Sequence, residues 1–213
     1  MTADTTAARG RLSAELIVAT AVRIIEAEGE PAASMRRIAA ELDVAAMSLY
    51  NHVPNKAALL DLVSDWVGAQ IELPREPGAD WETRARTLLH AFRDVVRLYP
   101  NCMQLSMSRA NMSSVALVPL EYALEMAHEA GYPEADAIRL IRAFTSYVIG
   151  SITTETTRRR AMQAIAEGGE LPPPIPEDRF PHLAALGPRL FVLDPDADFE
   201  FGINLLLGAL RQG

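Results

Sequence analysis

Residues 34–56 read SMRRIAAELDVAAMSLYNHVPNK, and the fold of the chain is decided there. Ile38, Ala39 and Leu42 make one apolar stripe at helical spacing, on a helix that Ser34 can cap. Leu42-Asp43-Val44 supplies the turn, because Asp tolerates the left-handed backbone of a sharp corner, though less readily than Gly. A second short helix carries Leu49 inward and leaves Ser48, Tyr50 and Asn51 on other faces; it stops at His52-Val53-Pro54, since the residue before a proline avoids helical geometry. Two helices, a tight turn and one polar outward face form a helix-turn-helix, whose second helix is the element that can enter a DNA major groove.

Outward from that stretch the chain reads as helix throughout. Residues 13–29 form an amphipathic helix with Ile17, Ala21, Ile24 and Ile25 on one face, ended by Gly29 and Pro31, and it packs beneath the two motif helices. Asn55 can cap a longer helix over residues 55–71. LPREPGAD, residues 73–80, breaks the pattern and places a domain boundary between 72 and 73. Helices are then expected over 81–99, with Leu88, Leu89, Phe92, Val95 and Val96 inward, and over 113–130, with Pro100-Asn101 ending the first. A long helix follows Pro133 and runs to about Glu167, a proline-rich loop covers 168–178, and short helices complete the chain over 180–186 and 198–211. The fold class is all-α: a three-helix DNA-binding domain, 1–72, and a helical ligand-binding and dimerisation domain, 73–213.

Composition bounds the function. With 213 residues, about half of them apolar, the chain buries a substantial core. One cysteine, Cys102, excludes a disulfide framework and a multi-cysteine zinc site, and suits a reducing cytoplasm. The first residues lack a signal-peptide run and no apolar stretch has the length of a membrane span, so a soluble cytoplasmic protein is expected, with no membrane partner. The net charge of −8 does not predict DNA binding, and residues 1–72 alone hold six Lys/Arg against ten Asp/Glu. The case rests on placement: Arg9 and Arg11 on an N-terminal arm, Arg36 and Arg37 opening the first motif helix, and Lys56, the only lysine, opening the helix after the motif. No Cys/His or Ser/His/Asp arrangement has usable spacing and no Gly-rich phosphate loop occurs, which disfavours an all-helical enzyme. No metal or other cofactor is expected; His90, His128 and His182 are scattered.

The pattern resembles the TetR-type transcriptional regulators. SMRRIAAELDV, then AAMSLYNHVPNKAALLDLV, carry the likeness, most specifically Leu49, Tyr50, His52, Val53 and Lys56. Asp80-Trp81, Phe92, Tyr147-Val148-Ile149-Gly150 and FGINLLLGAL (201–210) extend it toward the tetracycline-repressor branch. Asp43 where Gly is usual, and Ala45 where a capping Ser often stands, depart from the family and leave the recognition helix poorly capped. The resemblance implies a homodimer holding two reading heads over a palindromic operator, released when a small ligand binds the C-terminal domain. It implies base contacts from Ala46, Met47, Ser48, Tyr50 and Asn51. Met47 packs internally or against a thymine methyl, Asn51 suits adenine, Tyr50 and His52 suit phosphates, and Lys56 meets a phosphate at a helix N-terminus. Arg36 is placed for a base edge or phosphate and Met35 for the sugar-phosphate edge.

In the C-terminal half, methionines cluster with aromatic residues, and flexible, polarisable Met side chains suit an adaptable apolar pocket. The expected effector residues are Leu88, Phe92, Met103, Leu105, Ser106, Arg109, Met112, Phe144, Tyr147 and Thr154. Where the tetracycline repressor carries its magnesium-binding histidine, this chain has Ser106, and Thr154 stands for the second acidic partner, so a metal-free organic effector is expected. The dimer interface is expected from helices near 134–160 and 198–211. A same-fold activator, or a regulator that ignores small molecules, remains open on sequence alone.

Overall fold

The computed structural model describes residues 12–74, 78–109, 113–169, 175–187, 189, 192 and 194–210. Arg9, Arg11 and Met112 fall outside the described residues. Among the described residues there is no strand, and no helix is long and apolar enough to cross a membrane. The chain forms two compact units, Met1–Gly131 and Tyr132–Gly213.

The first unit begins with α1 (Ala14–Glu28), whose Ser13 cap accepts from the Leu16 N–H at 3.3 Å. Gly29, at φ 86°, closes it and leads into a 3-10 turn, Glu30–Ala32. Ser34 caps α2 (Met35–Glu41) through the Arg37 N–H at 3.1 Å. The corner that follows puts Asp43 at φ 54°, among the described residues the one non-glycine position with positive φ. α3 (Ala46–Tyr50) is then a five-residue helix whose N-cap, Ala45, offers no side-chain acceptor. Asn55 caps α4 (Lys56–Gly68), accepting from Ala58 N–H at 2.8 Å. Ile17, Ile24, Ile38, Leu49, Val53, Leu59 and Val63 close the core beneath this motif. The three capping residues and the apolar spacing between them are why these segments are helices and stop where they do.

α5 (Trp81–Leu98) is capped by Asp80 and packs Leu88, Leu89, Val95 and Val96 inward. Arg93, which the apolar pattern assigns to no face, is buried with them. Pro100-Asn101 does end α5, but the segment beyond is itself a helix, α6 (Pro100–Ser108), with Pro100 in the first turn, where a missing N–H costs nothing. α7 (Ser114–Glu129) follows, capped by Ser113. Arg84 on α5 ties it to α7 by an ion pair to Glu129 at 2.6 Å and lies 5.5 Å over the Tyr122 ring.

α6 explains why this unit runs past the proline break at 73–80. Its N-terminus is joined to the C-terminus of α1 by reciprocal capping. The Glu26 carboxylate accepts from the backbone N–H groups of Asn101 (3.2 Å) and Cys102 (2.8 Å), while the Asn101 amide donates to the carbonyls of Ile25 (3.2 Å) and Glu26 (3.1 Å). Each helix end thereby satisfies the orphan groups of the other. α4 also packs on α6 and α7, and Trp66 meets Tyr99 edge-on at 4.9 Å. Compaction therefore divides the chain at 131/132, whereas the sequence break lies at 72/73.

The second unit is built on α8 (Glu134–Ala166), 33 residues and about 50 Å long, with α9 (Pro181–Leu186) and α10 (Pro195–Leu210). α10 starts three residues before the expected Asp198, because Asp194 accepts from the Ala197 N–H at 3.0 Å and caps it. It packs on α8, burying Phe199, Ile203 and Leu207. Tyr147 of α8 stacks on Phe199 at 5.6 Å, and its hydroxyl donates to the carbonyls of Asp198 (3.1 Å) and Phe199 (3.0 Å). A Cβ at Gly202 would sit 2.0 Å from that hydroxyl oxygen, so glycine is required for this approach. The opposite face of α10 presents Phe201 and Leu205, 67% and 60% exposed.

Candidate nucleic-acid interface and effector region

The short α3 is anchored from its C-terminal side. Leu49 and Val53 are fully buried, which fixes the rotation of the helix and turns the intervening residues outward. Met47 is 75% exposed, so of its two sequence readings the outward one holds. Tyr50, Asn51 and His52 are exposed, and Ala46 and Ser48 half-buried. Arg36 is exposed on α2 with no ion pair among the described residues. Met35 is corrected: at 7% exposed it belongs to the core, because it lies one helical turn from Ile38 and Ala39 on the packed stripe, and it offers nothing to a sugar-phosphate edge.

Apart from Arg36, the cations described around this face are paired with carboxylates. Lys56, half-buried at the start of α4, pairs with Glu30 at 2.7 Å. Arg37 bonds Glu28 at 3.1 Å and also Glu41, and Arg23 bonds Glu41 at 2.7 Å. Those two acids, Glu28 first, hold the Arg37 guanidinium above its ordinary pKa, and the Arg23 and Arg37 contacts hold the Glu41 carboxyl below its own. Arg37 is thus spent within the domain.

The expected effector residues fall in both units. In the first, Leu88 and Met103 are buried, while Phe92, Leu105 and Ser106 are half-buried on the packed pair α5 and α6. Arg109 is engaged elsewhere: its guanidinium pairs with Asp61 of α4 and donates to the Ala57 carbonyl at 3.3 Å. In the second unit, Phe144 is half-buried, the Tyr147 hydroxyl is bonded to α10 as described, and Thr154 is exposed. A cavity of ≈ 420 Å³ between α8 and the start of α10 brings Tyr147 and Thr154 together with Ser151, Glu155, Arg158 and Asp198. Glu155, one position from the expected Thr154, is the buried polar group there, 8% exposed and paired with Arg159 at 2.5 Å.

Sequence reasoning missed Glu30 and Glu26, while Glu155, next to Thr154, was already within its reach as a polar group able to orient a ligand. The burial of Glu155 had a signal: it lies three and seven residues from the buried Ile152 and Val148, on their helical face. Glu30 and Glu26 had none, because their partners lie far along the chain.

Comparison with known proteins decides what this assembly is. Residues 17–63 match the family model described as bacterial regulatory proteins, tetR family, and residues 73–212 match the tetracyclin repressor-like C-terminal domain. The chain belongs to the TetR family. Its relatives are transcriptional regulators and not enzymes, and its N-terminal domain is a DNA-binding one. It is 31% identical over 211 residues to the HTH-type transcriptional repressor DrrR1 of Streptomyces coeruleorubidus, covering 94% of this chain and 77% of that one. Tetracycline repressor protein class C of Escherichia coli is 25% identical, with 95% and 92% covered. Among solved structures, the Streptomyces coelicolor TetR family protein ActR superposes with a TM-score of 0.75 at 28% identity, over 96% of this chain and 99% of that one, in its complex with (S)-DNPA. The same protein in complex with actinorhodin gives a TM-score of 0.74.

Proposed function

We propose that this TetR-family chain is a homodimeric repressor, acting in the cytoplasm, that leaves a palindromic operator when a small, mostly apolar organic effector binds. The observation that carries the DNA half is the α3 face. A helix too short to contribute much core is pinned by Leu49 and Val53 so that Met47, Tyr50, Asn51 and His52 project together. Such a helix fits a major groove, with Met47 against a thymine methyl, Asn51 on an adenine edge, Ala46 and Ser48 at close range, and Tyr50, His52, Arg36 and Lys56 on phosphates. The functional division follows the sequence break: residues 1–72 read DNA, and 73–213 bind effector and dimerise.

Dimerisation through α8 and α10 is supported by Phe201 and Leu205, an apolar stripe on the side of α10 that α8 does not cover. The effector reading is supported by the likeness to ActR, solved with actinorhodin, and by the apolar character of Leu88, Phe92, Met103 and Leu105. Ser106 in place of a metal-binding histidine favours an effector that needs no chelated ion. Arg109 is left out of this set, since Asp61 holds it. The test is a mobility shift on DNA upstream of the chain's own gene, followed by a compound screen by thermal shift. Selective, salt-sensitive shifts that a stabilising compound abolishes are expected. A compound that raises the melting temperature but leaves DNA affinity unchanged would contradict release by that ligand.

A further inference from the structure

Lys56 is the only lysine of the chain, stands at the first turn of α4, and is occupied. Its ammonium lies 2.7 Å from a Glu30 carboxylate oxygen, with both side chains more than a third exposed. Glu30 is not carried on a loose loop. Gly29 at φ 86° sets the chain direction before it, Pro31 locks the backbone after it, and its own carbonyl accepts the Ala33 N–H at 3.1 Å. A rigid 3-10 turn thus aims a carboxylate at the cation expected to meet DNA.

We propose that Glu30 is a built-in competitor for the DNA backbone: its carboxylate fills the phosphate place on Lys56 in the free protein and is displaced when the domain docks. The inference rests on the reading of Lys56 as a phosphate contact and adds an energetic consequence to it. Docking exchanges one anion for another on the same ammonium. It leaves Glu30 without its partner, close to DNA, where it takes up a counterion from solution. One cation released from DNA is then offset by one gathered at Glu30, so Lys56 contributes less than a full ion to the salt dependence of binding. The attenuation is independent of base sequence, because a phosphate contact carries none.

The test is a double-mutant cycle of Glu30→Gln and Lys56→Gln, read by fluorescence anisotropy. The probes are a duplex selected by the wild-type protein from random-sequence DNA and an unselected duplex of equal length. At low salt, E30Q should bind both duplexes roughly two- to fivefold tighter, the range an exposed ion pair supports. Between about 50 and 200 mM salt its log–log slope should be steeper by up to about 0.9. Glu30→Asp, with shorter reach, should fall between, and thermal melts check that all variants fold. In the K56Q background, E30Q should change affinity little. A gain that persists in that background would be generic charge removal, and E30Q binding more weakly would mean that Glu30 orients Lys56; either overturns the proposal. Should the wild-type protein select no duplex, the DNA-binding reading falls and this proposal falls with it; selection followed by an additive cycle sinks this proposal alone.

Discussion

At the scale of single residues, burial separates what holds the head from what it presents. Leu49 is fully buried on a five-residue helix, so Leu49→Ala removes the main anchor of α3 and should cost about 2–5 kcal/mol in chemical denaturation. Met47→Ala, two positions earlier, should leave stability within about 0.5 kcal/mol while lowering operator affinity, because Met47 is 75% exposed. A large stability loss from Met47→Ala would place that side chain in the core. Cys102 gives an independent check on the first unit. Burial, with the Glu26 carboxylate beside it, pushes its thiol well above the ordinary range, so it stays protonated and covered near neutral pH. A thiol reagent at pH 8 should modify it slowly in native protein and fully in denaturant; rapid native labelling would show that α6 is not seated as described.

Single residues also show what a sequence can and cannot disclose. Ser34, Asn55 and Asp43 were legible because capping and positive-φ geometry are local chemistry, settled within four residues. Met35 was legible too, three and four positions before the buried Ile38 and Ala39 on the same helical face, but the expectation of a sugar-phosphate contact set that spacing aside. The Glu30–Lys56 pair spans 26 positions and the Arg109–Asp61 pair 48. No periodicity marks either.

At the scale of elements, the reciprocal capping of α1 by α6 and the Tyr147–Gly202 approach of α8 to α10 decide how helices are fastened. Asn101→Ala removes two donors from the end of α1 and should destabilise the chain by about 1–3 kcal/mol in a urea titration. No change would mean that water satisfies those carbonyls equally well. Gly202→Ala places a methyl 2.0 Å from the Tyr147 oxygen, with further ring atoms close behind. The helices must separate or the tyrosine must leave, at a cost of about 1–3 kcal/mol. Tyr147→Ala should relieve much of that penalty in the double variant; additive losses would show that the two side chains do not meet. The helices themselves were legible from apolar spacing, including α10. α6 was not, because Pro100 reads as an end, and only the structure shows it opening the next helix.

At the scale of the whole molecule, the proposal that an acidic chain reads DNA through the small α3 face makes the pairing of two such faces its decisive requirement. Phe201 and Leu205 lie opposite Phe199, Ile203 and Leu207 on α10, so Phe201→Glu with Leu205→Glu should leave α10 packed on α8 yet abolish the dimer. Light scattering should report monomer with unchanged helical circular dichroism, and operator binding should fall at least tenfold. A dimer that survives both substitutions would place the interface elsewhere.

The central claim, that α3 and the start of α4 read DNA, is tested most directly by equilibrium binding of the wild-type chain and a Tyr50→Ala, Lys56→Ala variant to a palindromic duplex from its own upstream region, beside a scrambled duplex. The account predicts that the wild type prefers the palindrome by roughly a thousandfold or more and that the variant, folded and dimeric, loses that complex. Equal binding of the two duplexes by the wild type, or undiminished binding by the variant, would contradict it.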